Sequence, residues 1–218
     1  MTGDTAVRLA LPSHTVRSRL IVVVRAASAD DYDGVLDTLL DAGVRSVELT
    51  LTTPGTLERL PALVARHADA IDLGVGTVVD AEQLSRAVDA GARYLVTPVT
   101  SPALVAQAVA AGVAIVPGGL TPTELFSSWS AGASAVKVFP AGQVTPDYVK
   151  DLRGPFPEID VVPSGGVDLE GAAAWLRAGA VAVSVGGPLL GDALRGGDRG
   201  ALRARAEAFV DVCAGGAR

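Results

Sequence analysis

The chain has 218 residues and a mass of 22.0 kDa, with 49% hydrophobic residues, 19% charged residues and a mean hydropathy of +0.39. That balance excludes disorder, which needs low hydrophobicity and high charge, and the length suffices for one sizeable core. A formal charge of −6, a pI of 4.9 and the absence of any Lys or Arg block argue against a nucleic-acid partner. The longest aliphatic run, Leu20-Ile-Val-Val-Val24, is far short of the roughly 20 residues of a membrane span. Residues 1–19 carry three arginines and no apolar stretch, so no secretory leader is read there. The single cysteine, Cys213, leaves no internal disulfide, and a cytoplasmic, reducing compartment is expected.

The first strand is expected over 20–25, followed by an amphipathic stretch over 29–40. A pattern then recurs: a helix-like stretch, Ala-Gly, and a β-branched run. It occurs at Asp41-Ala-Gly43, Asp89-Ala-Gly91, Ala110-Ala-Gly112, Ser130-Ala-Gly132 and Arg177-Ala-Gly179. The glycine spacings are 48, 21, 20 and 47, so each long gap hides one unit without the motif. Glycine just past a helix tolerates the left-handed conformation that ends it, and the β-branched runs suit buried parallel strands. Eight strands follow, at 20–25, 45–51, 71–76, 94–97, 113–117, 135–139, 160–163 and 181–186. Helices are expected between them over 29–40, 56–66, 81–88, 102–110, 123–130 and 169–177, with Asp80, Ser101, Thr121 and Asp168 at N-cap positions. The expected architecture is α/β, a single (β/α)8 barrel of one domain over 1–218 with its core at about 16–213. An open doubly wound sheet shares the local pattern, and the near-regular unit length favours closure.

In such a barrel the chemistry gathers at the C-terminal strand ends. The chain holds 16 Arg and two Lys, so Lys137 inside a β-branched strand is unusual. Strand alternation places it with Ala135 and Phe139, opposite Val136 and Val138. A buried ammonium is costly, and an uncharged lysine amine is a nucleophile; a lysine snorkelling at a strand end is the plainer reading. Glu48 alternates with Val47 and Leu49 and shares a face with Ser46, Thr50 and Thr52. A structural ion pair to Arg25 or Lys137 and a proton shuttle beside an amine are both compatible with it. Gly165-Gly166 and Gly186-Gly187 follow strands seven and eight, where this fold binds phosphate, although turns also use Gly-Gly freely. No dedicated metal site is read: both histidines lie away from the strand ends, and Glu48 alone supplies a carboxylate near the mouth. Lys150, after the helix start at Pro146-Asp-Tyr148, reads as an exposed helix lysine.

Taken in order, Val47-Glu-Leu-Thr-Leu51, Gly74-Val-Gly-Thr-Val78, Val96-Thr-Pro98, Ile115-Val-Pro-Gly118, Val136-Lys-Val-Phe-Pro-Ala141 and Pro163-Ser-Gly-Gly166 resemble a known family. It is that of the class I aldolases acting on 2-keto-3-deoxy-6-phosphogluconate and 4-hydroxy-2-oxoglutarate. The resemblance implies a (β/α)8 barrel, a homotrimer, a small keto-acid substrate, and a lysine Schiff base formed without metal or other cofactor. It implies Lys137 as the Schiff-base lysine and Glu48 as the general acid/base. Thr77 matches a threonine near the pyruvate unit, Pro98 and Phe139 match wall residues, and Ser164 joins the substrate-binding set. Two positions depart from the pattern. Thr52 stands where many members carry an arginine for the substrate carboxylate. The related phosphogalactonate aldolases also lack that arginine and carry one ending strand one, which points to Arg25 for this contact. Pro188 stands where a phosphate-binding serine is frequent after the last glycine pair, and it offers neither hydroxyl nor N–H. That weakens the implied phosphate site of Gly165, Gly166, Gly186 and Gly187 and gives weight to a shorter or unphosphorylated substrate.

Overall fold

The computed structural model describes residues 8–67 and 69–215. Helix α1 (Ser13–Ser18) leads into β1 (Leu20–Val24), and strands and helices then alternate through α2 (Tyr32–Asp41), β2 (Ser46–Thr50), α3 (Thr56–His67), β3 (Asp72–Gly76), α4 (Ala81–Asp89), β4 (Tyr94–Val96) and α5 (Pro102–Ala110). The second half continues with β5 (Ala114–Val116), β6 (Gly118–Gly119), α6 (Pro122–Ser130), β7 (Val136–Val138), α7 (Asp147–Arg153) and β8 (Val161–Pro163). It ends in α8 (Leu169–Arg177), β9 (Val183–Val185), the short α9 (Gly187–Leu190) and the long α10 (Arg199–Gly215).

The local signals act as expected. Asp80, Ser101, Thr121 and Asp168 each accept a hydrogen bond from a backbone N–H of the first turn of α4, α5, α6 and α8. Each such cap contributes about 1 kcal/mol. The glycine of each of the five Ala-Gly pairs that precede the β-branched runs, Gly43, Gly91, Gly112, Gly132 and Gly179, has positive φ, between 73° and 106°, the region where a Cβ is penalised. Lys150 lies exposed on α7.

All strand pairs are parallel, but the expected uninterrupted eight-stranded ladder is replaced by two sheets. One has six strands in the order β5-β4-β3-β2-β1-β9, and the other has three in the order β6-β7-β8. Pro117 is the cause of the first break. Lacking an N–H, it divides the fifth expected strand into β5 and β6. The two pieces still serve one neighbour, since Ile115 O accepts from Ser134 N and Pro117 O accepts from Lys137 N. At the other junction a single parallel bridge, Ser164 to Ser184, connects β8 to β9. The result is a TIM-barrel-like α/β fold.

Strand alternation sorts the aliphatic residues into two layers. Val22, Val24, Val47, Leu49, Val75, Val136, Val138 and Val183 pack outward into the core shared with the helices. Ile21, Tyr94, Val96, Ala114, Val116, Ala135, Val162 and Ala182 form a second cluster on the opposite strand faces. This inner cluster is mostly small, and Tyr94 fills its lower part against Gly74, where a Cβ would lie 2.4 Å from the ring. At the N-terminal strand ends α1 closes the floor. The N–H of buried Thr15 donates to Asp72 Oδ2 at 2.8 Å, and Ser46 donates to the Tyr94 hydroxyl at 3.0 Å. Burial raises the Tyr94 phenol well above its ordinary pKa; the Ser46 hydrogen bond lowers it, and the Glu48 and Asp72 charges add to the rise.

Candidate active site

At the opposite, C-terminal strand ends lies a cavity of about 540 Å³. Its lining brings together Arg25, Glu48, Thr77, Pro98, Lys137, Phe139, Ser164, Gly165, Gly166, Gly186 and Gly187. One sequence candidate is placed elsewhere: Thr52 is exposed outside the lining, with its hydroxyl 3.0 Å from that of Thr50.

A lysine and a glutamate side chain sit deep in this cavity. Lys137 is held in the middle of β7 by paired neighbours, Gly118 on one side and Val162 on the other. Its residue is only 7% exposed, and Nζ lies 5.1 Å from the Phe139 ring centroid. Gly118 has to be glycine here, because a Cβ would come within 2.8 Å of the Thr97 and Pro98 backbone. Glu48, in the middle of β2, is 2% exposed, and its register partners are Val23 and Gly74. Its Oε2 is enclosed without a hydrogen-bond partner among the described residues. Among those residues no ion pair within 4.0 Å joins Glu48 to Lys137 or Arg25, so the structural ion pair is not formed. An orphaned buried acceptor costs stability unless something pairs with it.

The surrounding wall is equally specific. Thr77 is held at φ 62°, in the left-handed region that a β-branched residue adopts only under strain. Ser164 donates to the Ser184 hydroxyl at 3.2 Å, and its N–H is fixed on Val138 O at 3.0 Å. Gly165 and Gly166 are both left-handed, at φ 82° and 81°. Arg25 is exposed at the end of β1, and its guanidinium has no partner among the described residues. Sequence reasoning missed Ser184, whose inward position strand alternation alone could have shown. It also missed Leu190, Leu194 and Arg195, which line the cavity from the segment after β9. The glycine-rich run Gly196-Gly-Asp-Arg-Gly200 marks that segment as loop without showing which side chain turns inward. Among the described residues no group of three or more His, Cys, Asp or Glu side chains could hold a metal ion, and no helix is long and apolar enough to cross a membrane.

Comparison with known proteins matches residues 12–202 to the family described as KDPG and KHG aldolase. The chain belongs to this aldolase family. Among relatives of the aldolase, the 2-dehydro-3-deoxy-6-phosphogalactonate aldolase of Escherichia coli (strain K12) is 34% identical over 171 residues, 78% of this chain and 83% of that one. The 2-dehydro-3-deoxy-phosphogluconate aldolase of Treponema pallidum (strain Nichols) is 34% identical over 161 residues, 73% of this chain and 76% of its own. A solved structure of native KDPGal superposes with a TM-score of 0.82 at 32% identity, covering 88% of this chain and 93% of that one. The sequence resemblance is therefore upheld at the level of the family.

Proposed function

We propose that the chain is a class I aldolase that cleaves a 4-hydroxy-2-keto acid to pyruvate and an aldehyde, with Lys137 as the imine-forming nucleophile and Glu48 as the general acid/base. The observation that carries this reading is a buried lysine and a buried carboxylate with an unpartnered oxygen lining one cavity. Family membership and the names of the relatives support the reaction class.

The uncharged Lys137 amine attacks the C2 ketone, and Glu48 carries the protons needed to form the carbinolamine and release water. The resulting iminium draws electrons from the neighbouring bond. Glu48 takes the proton of the C4 hydroxyl, the C3–C4 bond breaks, and its electron pair becomes the enamine as the aldehyde forms. Reprotonation at C3 restores the iminium, and water returns the free amine and pyruvate. Arg25 is assigned to the C1 carboxylate, with Thr77, Pro98, Phe139 and Ser164 shaping the wall. Gly165, Gly166, Gly186 and Gly187 are assigned to a distal phosphate, which leaves glyceraldehyde 3-phosphate as the aldehyde product; glyoxylate is the product from hydroxyoxoglutarate. On this reading the two sheets act as one closed barrel, the whole chain is a single domain, and it works as a cytoplasmic homotrimer.

Borohydride reduction in the presence of pyruvate is the direct test. The folded protein acquires a stable mass on the peptide containing Lys137, and Lys137→Arg does not. Absence of the adduct from the unmutated protein overturns the assignment.

A further inference from the structure

We propose that Arg195 is the cation that binds the terminal phosphate of the substrate, making the site selective for a phosphorylated 4-hydroxy-2-keto sugar acid over its unphosphorylated counterpart. This deepens the aldolase reading and rests on it.

The starting point is an imbalance at the phosphate end. The amides of Gly165 and Gly166 donate to no carbonyl among the described residues, which leaves them available to an anion. Pro188, beside Gly187 in the same lining, adds neither hydroxyl nor N–H. A phosphate monoester carries about −1.5 to −2 charge near neutral pH. With Arg25 assigned to the carboxylate and Lys137 to the imine, only uncharged amides and hydroxyls of the lining would be left to meet that charge. Arg195 supplies the missing charge. It lines the same cavity as both glycine pairs, and its guanidinium makes no hydrogen bond or ion pair with any described residue. Its planar fork of donors suits two phosphate oxygens at once, which a serine hydroxyl does not.

The backbone that presents this guanidinium is well anchored. Arg205 on α10 donates to Leu189 O at 2.7 Å and Leu190 O at 2.9 Å, pinning the end of α9. The next turn closes on Asp192 O, which accepts from Arg195 N at 2.8 Å and from Gly197 N at 3.1 Å. Ala193 beneath it is 2% exposed, whereas Arg195 itself is exposed. An anchored backbone carrying an uncommitted cation at a cavity rim costs little ordering entropy when an anion arrives. Most other arginines of the chain have work elsewhere, as Arg59 and Arg66 do with Asp33 and Arg205 with α9.

The test compares kcat/KM for 2-keto-3-deoxy-6-phosphogluconate with that for the unphosphorylated acid, in the unmutated protein and in Arg195→Ala. The expected result is a fall of about 10- to 100-fold in the ratio of the two values, carried by KM of the phosphorylated substrate. Arg195→Lys should recover part of it. An equal fall with both acids, or a rise in the pyruvate concentration needed for borohydride trapping, would assign Arg195 to the carboxylate instead and overturn the proposal. No fall with either acid overturns it as well. A second readout is independent of turnover: inorganic phosphate raises Tm of the unmutated protein and does so much less for Arg195→Ala. If phosphate acts on both alike, Arg195 is not the phosphate ligand. If trapping at Lys137 fails while the phosphate effect depends on Arg195, the aldolase reading is at fault and the anion site stands.

Discussion

Glu48 is most sharply probed without touching it, by adding one methyl group to the neighbouring strand. A Cβ built on Gly76 would lie 1.9 Å from Glu48 Oε1 and 2.5 Å from its Cδ and Cγ. Contacts of this kind do not fall below 3.0 Å, so in Gly76→Ala the carboxylate oxygen must move by at least 3.0 − 1.9 = 1.1 Å. A misplacement of about 1 Å at a reacting group costs on the order of 10²-fold in rate. Removing a general acid/base costs about 10²- to 10⁴-fold, which caps the effect. We expect kcat for pyruvate release, followed with a coupled lactate dehydrogenase assay, to fall about 10²-fold. The same overpacking should destabilise the fold by about 1–3 kcal/mol in urea. The decisive comparison is a double-mutant cycle with Glu48→Ala, in which the carboxylate that blocks the methyl group is gone. There Gly76→Ala should cost little further activity, because both changes act through one side chain. Full additivity of the two changes, or near-normal turnover in Gly76→Ala alone, would refute the idea that this glycine exists to make room for Glu48.

Gly74→Ala applies a similar clash two residues earlier, against the Tyr94 ring at 2.4 Å. Its effect should appear as a loss of about 1–3 kcal/mol in urea unfolding, with trapping of pyruvate on the remaining folded protein retained. Arg25→Ala should raise the pyruvate concentration required for half-maximal trapping by about 10-fold or more and change the trapping rate at saturation much less; unchanged concentration dependence moves the carboxylate contact elsewhere. Cys213 is fully buried on α10, and burial pushes its thiol from 9.0 up to about 12, with the Arg19 charge lowering it in part. It should resist iodoacetamide at pH 8 until the protein unfolds. Because the folded chain keeps a thiol proton that the unfolded chain releases above pH 9, this contribution to stability is present below pH 9 and is lost as pH rises toward 12. An alkaline urea series in which Cys213→Ala shows the same pH slope as the unmutated chain would contradict that.

Much of the architecture is legible in the sequence because its signals are local. Ala-Gly helix ends and Asp80, Ser101, Thr121 and Asp168 caps need only a few neighbouring residues to act, and the structure uses every one of them. Lys137 and Glu48 are equally readable, since a charge within a β-branched alternation must share a face with its own neighbours. What a linear pattern does not convey is which segments meet. The division of the sheet at Pro117 follows from a missing donor, and the single Ser164–Ser184 bridge depends on how β8 meets β9. Helix α10 does carry a signal in the spacing of Leu202, Ala206, Phe209 and Cys213, its buried residues. That spacing is diluted by the Arg and Ala around it. Arg195 is illegible for a different reason: nothing in an exposed arginine followed by a glycine pair distinguishes a solvated loop from the rim of a cavity.

The two departures from the family pattern, Thr52 and Pro188, then have a common physical resolution. A cation within reach strengthens the binding of an anion, and no particular strand has to supply it. Thr52 is exposed outside the lining and offers no positive charge, whereas Arg25, one strand away, is at the cavity and uncommitted. Pro188 removes a donor at the last glycine pair, and Arg195 faces the same space from a turn pinned by Arg205. If Lys137 and Glu48 are the reacting pair, as proposed, they have no such freedom, because attack at C2 and proton transfer at C4 demand atoms placed to within about an ångström. On the proposed assignment, charges that recognise the ends of the substrate can be supplied from different loops, whereas the lysine and the carboxylate have to sit where the middle of β7 and β2 holds them. Swapping positions should show the asymmetry: Arg25→Thr with Thr52→Arg should retain measurable pyruvate trapping, whereas moving the lysine by one strand neighbour, Lys137→Val with Val162→Lys, should abolish it.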